Sequence, residues 1–296
     1  MKVLLLGKSG QVGWELQRSL SCMGELIALD RNSSQFCGDM GNLEGLAATL
    51  RDICPDVIVN AAAYTAVDKA EVEKRQAHAI NALAPELLAQ HAAASGALLV
   101  HYSTDYVFDG AGCRGWCESD ATAPLNVYGR TKLEGEQRIQ NAGASHLIFR
   151  TSWVYGSRGG NFAKTMLRLG QERPQLTVIN DQFGAPTGAD FLADATAHCI
   201  RQCQAQPALA GLYHMAAAGE TTWFEYANYV FAQARVAHPA LALLVNNVAP
   251  VDSSAFKTAA IRPLNSRLDT RLLERQFRLV SPPWQRGIDR LLSEIL

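Results

Sequence analysis

The chain has 296 residues, 48% of them hydrophobic and 19% charged, with 27 Lys and Arg against 28 Asp and Glu for a net charge of −1. That length buries a substantial core and suffices for two lobes. The near-neutral balance argues against a broad surface for nucleic acid or membrane, and leaves room for a local basic patch suited to an anionic small molecule. The opening stretch MKVLLLGKSG carries a four-residue apolar run, Val3 to Leu6, shorter than a secretory signal requires, and no later stretch reaches membrane-spanning length. A cytoplasmic location is therefore expected, with no nucleic-acid or membrane partner. The seven cysteines (22, 37, 54, 113, 117, 199 and 203) are odd in number, which in that compartment reads as reduced thiols. Two C-x3-C spacings are looser than the paired spacing of most zinc clusters.

In chain order, Lys2 to Leu6 is an apolar strand that stops at Gly7-Lys8-Ser9-Gly10-Gln11-Val12-Gly13, and a helical pattern follows to about Met23. Strand, glycine turn and helix in that order are the context of a phosphate-binding βαβ unit. A second strand, Glu25 to Leu29, ends on Asp30; a helix covers Gly41 to Ile53 and a third strand Asp56 to Asn60. After the small-residue turn AAAYTAV the pattern predicts one long helix over about 76–95, then strand 97–102, loop 108–124, helix 126–140 and strand 146–152. Strands alternating with helices indicate an α/β fold with a six-stranded, parallel, doubly wound sheet of the Rossmann type. Beyond Trp153 the rhythm loosens, with helices expected near 161–171, 189–204, 222–235 and 284–295 and short strands at 176–179 and 211–215. Scattered prolines there suggest a smaller lobe built on loops, which carry specificity. The expected division is 1–152 plus about 175–210 for the dinucleotide domain, and about 153–174 plus 211–296 for a substrate-binding lobe.

Gly7, Gly10 and Gly13 follow a G-x2-G-x2-G spacing rather than G-x-G-x2-G, but the physics is shared. Such a turn lets backbone approach a pyrophosphate and points a helix N-terminus at its charge. Asp30, 17 residues after Gly13, suits the adenosine ribose hydroxyls and repels a 2′-phosphate, while Arg31 and Lys8 soften that repulsion. NADH or NADPH is the expected cofactor. Asp39, before Met40, is a candidate acceptor for the adenine amino group, and the small residues Asn60 to Ala63 let a ligand lie against backbone.

The strand at 97–102 leads into Ser103 and Thr104, and the helix from Asn126 carries Tyr128 and Lys132 four residues apart, on one face. A phenol ordinarily titrates near pH 10, and a neighbouring ammonium lowers that value. Lys132 can do this and can also reach the nicotinamide ribose, while Thr104 at the strand end can bond the substrate oxygen or the phenol. Ser103 is the weaker alternative. Taken alone, Y-x3-K is common in helices; with the glycine turn and the strand-end hydroxyls it becomes specific.

These motifs, together with NAAAYTAVDKAE (60–71), HYSTDYVFDG (101–110), PLNVYGRTKLEGE (124–136), RTSWVYG (150–156), NFAKTM (161–166), DQFGAPTG (181–188) and RPLNSRL (262–268), resemble the dTDP-4-dehydrorhamnose reductase family of extended short-chain dehydrogenases/reductases along nearly the whole chain. The resemblance implies reduction of the C4 ketone of a dTDP-linked 4-keto-6-deoxy sugar, the last step of dTDP-L-rhamnose synthesis. It implies Tyr128 as proton donor, Lys132 tuning it and Thr104 assisting. It implies Gly7, Gly10, Gln11, Val12, Gly13, Asp30, Asp39, Met40, Ala63, Tyr64, Thr65, Tyr102, Tyr128 and Lys132 around the cofactor. Thr104, Asp105, Tyr128 and Trp153 are implied at the sugar nucleotide. Arg262 and Asn265 suit either the diphosphate or a loop-anchoring role. The resemblance also implies Mg2+ at a contact between two subunits of a homodimer, with Glu15, Asp190 and Asp194 as ligands; carboxylates at i, i+4 suit a hydrated hard cation but are common on solvated faces too. Alternatives are a nucleotide-sugar epimerase or dehydratase of the same superfamily, and a non-catalytic dinucleotide-binding regulatory subunit. The residue after Asp105 is Tyr106, not the Glu of an acidic pair, which disfavours the dehydratase.

Overall fold

The computed structural model describes residues 1–296. Its centre is a six-stranded, all-parallel sheet built from β1 (Lys2–Leu6), β2 (Glu25–Leu29), β3 (Val57–Asn60), β4 (Leu98–Thr104), β5 (His146–Thr151) and a last strand, Gly211–His214. The order across the sheet runs β2, β1, β3, β4, β5 and Gly211–His214, so the chain reverses direction between β1 and β3. In open sheets of this kind ligands settle at the carboxyl ends of the strands, at that reversal.

The strands read as unbroken apolar runs because both faces are covered. Val3 and Leu5 point to one face, where Leu16 and Leu20 of α1 (Gln11–Leu20) meet Leu192, Cys199 and Ile200 of the helix Ala189–Ala205. Leu4 and Leu6 point to the other, against Leu46 and Leu50 of α2 (Leu43–Ile53). A third core joins helices Phe162–Glu172, Trp223–Ala237 and Trp284–Ile295 through residues such as Met166, Tyr226, Phe231 and Ile288. No helix is long and apolar enough to cross a membrane.

Three local expectations change. The single helix expected over 76–95 is instead α4 (Lys74–His78), a five-residue π turn (Ala79–Leu83) and α5 (Ala84–Ser95), preceded by the short α3 (Val67–Ala70). The widened turn carries the Asn81 carbonyl against Gly135 of α6 (Val127–Asn141), where any Cβ would meet it at 2.2 Å. The Asn81 side chain then bonds the Tyr64 backbone and the Thr131 hydroxyl. The strand Gln175–Ile179, expected with the dinucleotide domain, pairs in parallel with Asn247–Val251 away from the large sheet. Gly211–His214, expected in the smaller lobe, adds to the large sheet beside β5, so Tyr213 joins the core beneath helix Ala189–Ala205.

Candidate active site

A cleft of about 720 Å³ opens along the carboxyl edge of the sheet, from the glycine turn to the Trp153 side. At its first end Gly7 holds a left-handed φ of +90° and lies so close to Ala61 and Ala62 that a Cβ would meet the Ala62 nitrogen at 2.7 Å. Gly13 backs onto the same turn, and a Cβ there would stand 2.0 Å from the Gly7 carbonyl oxygen. α1 begins on Gly10, which offers no side chain to its free N–H groups. A tight turn with unspent N–H donors at a helix start fits a pyrophosphate. Gly7, Gly10, Gln11 and Val12 line this end.

Asp30 closes β2 and also lines the cleft, its Oδ1 accepting the Asn32 N–H at 3.0 Å and the Ser33 hydroxyl at 3.3 Å. Burial pushes this carboxyl up, but the Asn32 N–H, the Ser9 hydroxyl and the Lys8 charge together outweigh it and hold the group ionised below its ordinary range. Arg31 and Ser9 stand on the same wall. Asp39, Met40, Ala63 and Thr65 also line it. Tyr64 is not on this wall: its hydroxyl bonds Glu73 at 2.5 Å and its backbone N–H goes to Asn81. Gly13 is likewise absent from the wall, buried against Gly7 in support of the turn.

At the other end β4 delivers Tyr102, Ser103 and Thr104, and α6 delivers Tyr128 and Lys132, one turn apart, into the same space. The helix is fixed at its start by Asn126, whose side chain accepts the Gly129 N–H at 2.8 Å. Thr104 pairs across the sheet with Thr151, and its hydroxyl donates to Asp105 Oδ1 at 3.0 Å. Burial raises the Asp105 carboxyl to about 6, against the pull of the Ser266 and Thr104 hydroxyls. Burial likewise pushes the Tyr128 phenol up to about 12; the facing Thr104 hydroxyl pulls it down and the Asp105 charge adds to the rise. Lys132 is buried, its Nζ donating to the Tyr102 carbonyl at 2.6 Å and lying 3.0 Å from His101 Nε2. Burial lowers its ammonium to about 8, with Glu136 opposing.

Ser103, the weaker candidate, is taken up elsewhere: its hydroxyl donates to Glu136, which forms a buried ion pair with Arg150 at 2.6 Å. Trp153 sits at a left-handed φ of +50° and stacks on Trp223, ring centres 3.6 Å apart. Trp223 lines the cleft too, and nothing in the sequence pairs it with Trp153 across the 69 intervening residues. Tyr106, Thr151 and Ser152 are further lining residues that sequence reasoning missed.

Two further sets of residues lie outside the cleft. Arg262 and Asn265 do not reach the cleft. Arg262 forms a forked ion pair with Asp68 at 2.5 and 3.2 Å, and Asn265 donates to the carbonyls of Ala111 and Arg114, so both anchor loops. Within one chain Glu15, Asp190 and Asp194 form no group of three that could hold a metal. Asp194 accepts from Arg18 at 2.9 Å and from Ser19 at 2.5 Å, Glu15 shares Arg18 at 3.5 Å, and Asp190 faces Arg290 at 3.3 Å.

The doubly wound parallel sheet and the glycine turn define a Rossmann-type α/β fold of the dinucleotide-binding class, whose cleft also gathers Thr104, Tyr128 and Lys132. The family described as "RmlD substrate binding domain" matches residues 1–296. A dTDP-4-dehydrorhamnose reductase of Escherichia coli K12 is 58% identical over 295 residues, covering 100% of this chain and 98% of its own length. The solved structure of such a reductase from Clostridium acetobutylicum superposes with a TM-score of 0.91 at 33% identity, covering 100% of this chain and 99% of the other. One from Bacillus anthracis, in complex with NADP, gives 0.87 at 35% identity, covering 99% of each chain. The chain belongs to the dTDP-4-dehydrorhamnose reductase family.

Proposed function

We propose that this chain reduces the C4 ketone of dTDP-4-dehydro-β-L-rhamnose to dTDP-L-rhamnose, the form of the sugar supplied to cell-surface polysaccharide. The observation that carries the reading is the meeting of Thr104, Tyr128 and Lys132 in one cleft with the glycine turn, in a chain 58% identical to a reductase of that substrate. The bound nicotinamide supplies the hydride. The protein's own groups handle the oxygen. Tyr128, whose phenol is held protonated by its surroundings, gives its proton to the oxygen as negative charge develops there. The Thr104 hydroxyl orients the phenol or the ketone, and Lys132 supplies the neighbouring cationic charge that steadies the phenolate left behind. Asp105 suits a sugar hydroxyl, because its Oδ2 is buried without a partner. The stacked Trp153 and Trp223 offer a flat apolar wall for the 6-methyl group and keep water out.

The cofactor side suits both nicotinamide nucleotides, with Asp30 favouring a free 2′-hydroxyl and Arg31 and Ser9 available to a 2′-phosphate. The same reading takes the enzyme as cytoplasmic and homodimeric, which fractionation and sedimentation test. The decisive variant is Tyr128→Phe. Turnover falls by roughly 10²- to 10⁴-fold, while NADPH binding, followed by fluorescence, is retained. Unchanged turnover refutes the assignment of the proton donor.

A further inference from the structure

His101 of β4 has no part in the reading above, yet it is buried to 1% exposure directly beneath the reacting centre. Its Nε2 lies 3.0 Å from Lys132 Nζ, and its Nδ1 lies 3.0 Å from the side-chain nitrogen of Asn60. Asn60, itself fully buried at the end of β3, accepts the Ala62 backbone N–H on its Oδ1 at 3.1 Å. That contact decides which end of the amide faces the ring. A backbone N–H needs an oxygen, so the amide NH2, a donor only, is the end left for His101. A neutral imidazole carries one N–H and one lone pair. Its Nδ1 must therefore accept from Asn60, and the ring proton resides on Nε2, aimed at Lys132. An ammonium has no lone pair, so it would meet that N–H donor against donor. An amine satisfies every partner: its lone pair accepts from His101 while its own N–H donates to the Tyr102 carbonyl at 2.6 Å.

We propose that His101 is a positioning residue for Lys132: oriented by Asn60 and the Ala62 N–H, it presents its Nε2–H to the side-chain nitrogen and loosens the ammonium's proton in the cofactor-free enzyme, so that Lys132 passes readily between its cationic form and the amine. Lys132 then readily exchanges a proton with the neighbouring Tyr128. The inference rests on the role proposed above for those two residues. Titration directions agree with the geometry. Burial, and after it the nearby Lys132 charge, holds His101 well below its ordinary value, so the ring is neutral, and burial lowers Lys132. The other titratable groups around Lys132 are Tyr128 and Glu136 on α6 and Tyr102 on β4; the Glu136 charge opposes loss of the lysine proton, although that carboxylate is also paired with Arg150 of β5. β3 contributes the uncharged Asn60.

Long-range 1H–15N spectra of the cofactor-free protein read the tautomer directly. Protonated Nε2 on His101 is expected, and protonated Nδ1 overturns the proposal. The second measurement follows the Lys132 resonance in protein carrying 13Cε-lysine, with Lys132→Met for assignment. In His101→Leu the amine loses its donor, and the Lys132 midpoint moves up by roughly one pH unit, the equivalent of one hydrogen bond. A downward shift, as expected had His101 been accepting from an ammonium, overturns the proposal, and so does an unmoved midpoint. His101→Gln, whose amide accepts at one end and donates at the other, keeps the wild-type midpoint and kcat; a displaced midpoint there counts against the proposal even if the leucine variant does not fold. Because these readouts need no turnover, their failure is distinguishable from failure of the reductase reading, which is judged by product formation in the wild type.

Discussion

Asp105→Asn separates stability from function at one buried atom group. Asp105 is 2% exposed, its Oδ2 finds no hydrogen-bond partner, and burial raises its carboxyl from 3.8 to about 6. The folded chain therefore binds this proton more tightly than the unfolded chain. Below about pH 4 both states are protonated and the group imposes no ionisation cost. Between about pH 4 and 6 the unfolded chain ionises first, and stability falls as pH rises through the folded value. Above that window the rise from 3.8 to about 6 costs the folded state about 3 kcal/mol, at about 1.36 kcal/mol for each tenfold change in proton affinity. An amide of the same shape still accepts from the Thr104 hydroxyl and carries no charge to bury. Asp105→Asn is thus expected to stabilise the protein by about 3 kcal/mol at pH 7.5, a rise of about 1 M in the urea midpoint, and by close to nothing at pH 3. Turnover falls in the same variant if the carboxylate holds a sugar hydroxyl. A gain of equal size at both pH values, or a loss at pH 7.5, refutes the reasoning.

Other substitutions probe the remaining parts of the site. Gly13→Ala puts a methyl group 2.0 Å from the Gly7 carbonyl, so NADPH affinity falls more than tenfold in a fluorescence titration; wild-type affinity contradicts the proposed phosphate turn. Arg150→Met leaves Glu136 buried with the Ser103 hydroxyl as its remaining side-chain partner and costs about 3–5 kcal/mol in denaturant unfolding. Adding Glu136→Leu recovers most of that loss, and failure to recover it means the charge pair is not the cause. Arg31→Ala lowers the NADPH-to-NADH ratio of kcat/KM by about tenfold, the worth of one charge-assisted phosphate contact; an unchanged ratio removes Arg31 from the 2′-phosphate side.

The parts of the site that were legible in the sequence rest on local chemistry. Gly7 to Gly13 announce their turn because the backbone there excludes side chains, and Tyr128 and Lys132 meet because helix geometry puts i and i+4 on one face. The sheet was legible from apolar strands alternating with helices, although which late strand completes it was not. Gly211–His214 and Gln175–Ile179 are alike in length and polarity, and only tertiary packing under helix Ala189–Ala205 selects between them. The π turn at Ala79–Leu83 answers to Gly135, more than fifty residues downstream, so no local pattern marks it. The Trp153–Trp223 stack and the capture of Arg262 by Asp68 are pairings of the same kind. Carboxylates at i, i+4 were ambiguous for a different reason: their spacing says nothing about whether an arginine or a cation will stand opposite, and here Arg18 and Arg290 do.

The central claim is net reduction of a 4-keto sugar nucleotide. Purified protein mixed with dTDP-4-dehydro-β-L-rhamnose and NADPH should oxidise one NADPH per ketone consumed and yield dTDP-L-rhamnose, identified by NMR. Conversion without net NADPH oxidation, as in an epimerase, or no conversion at all, contradicts it.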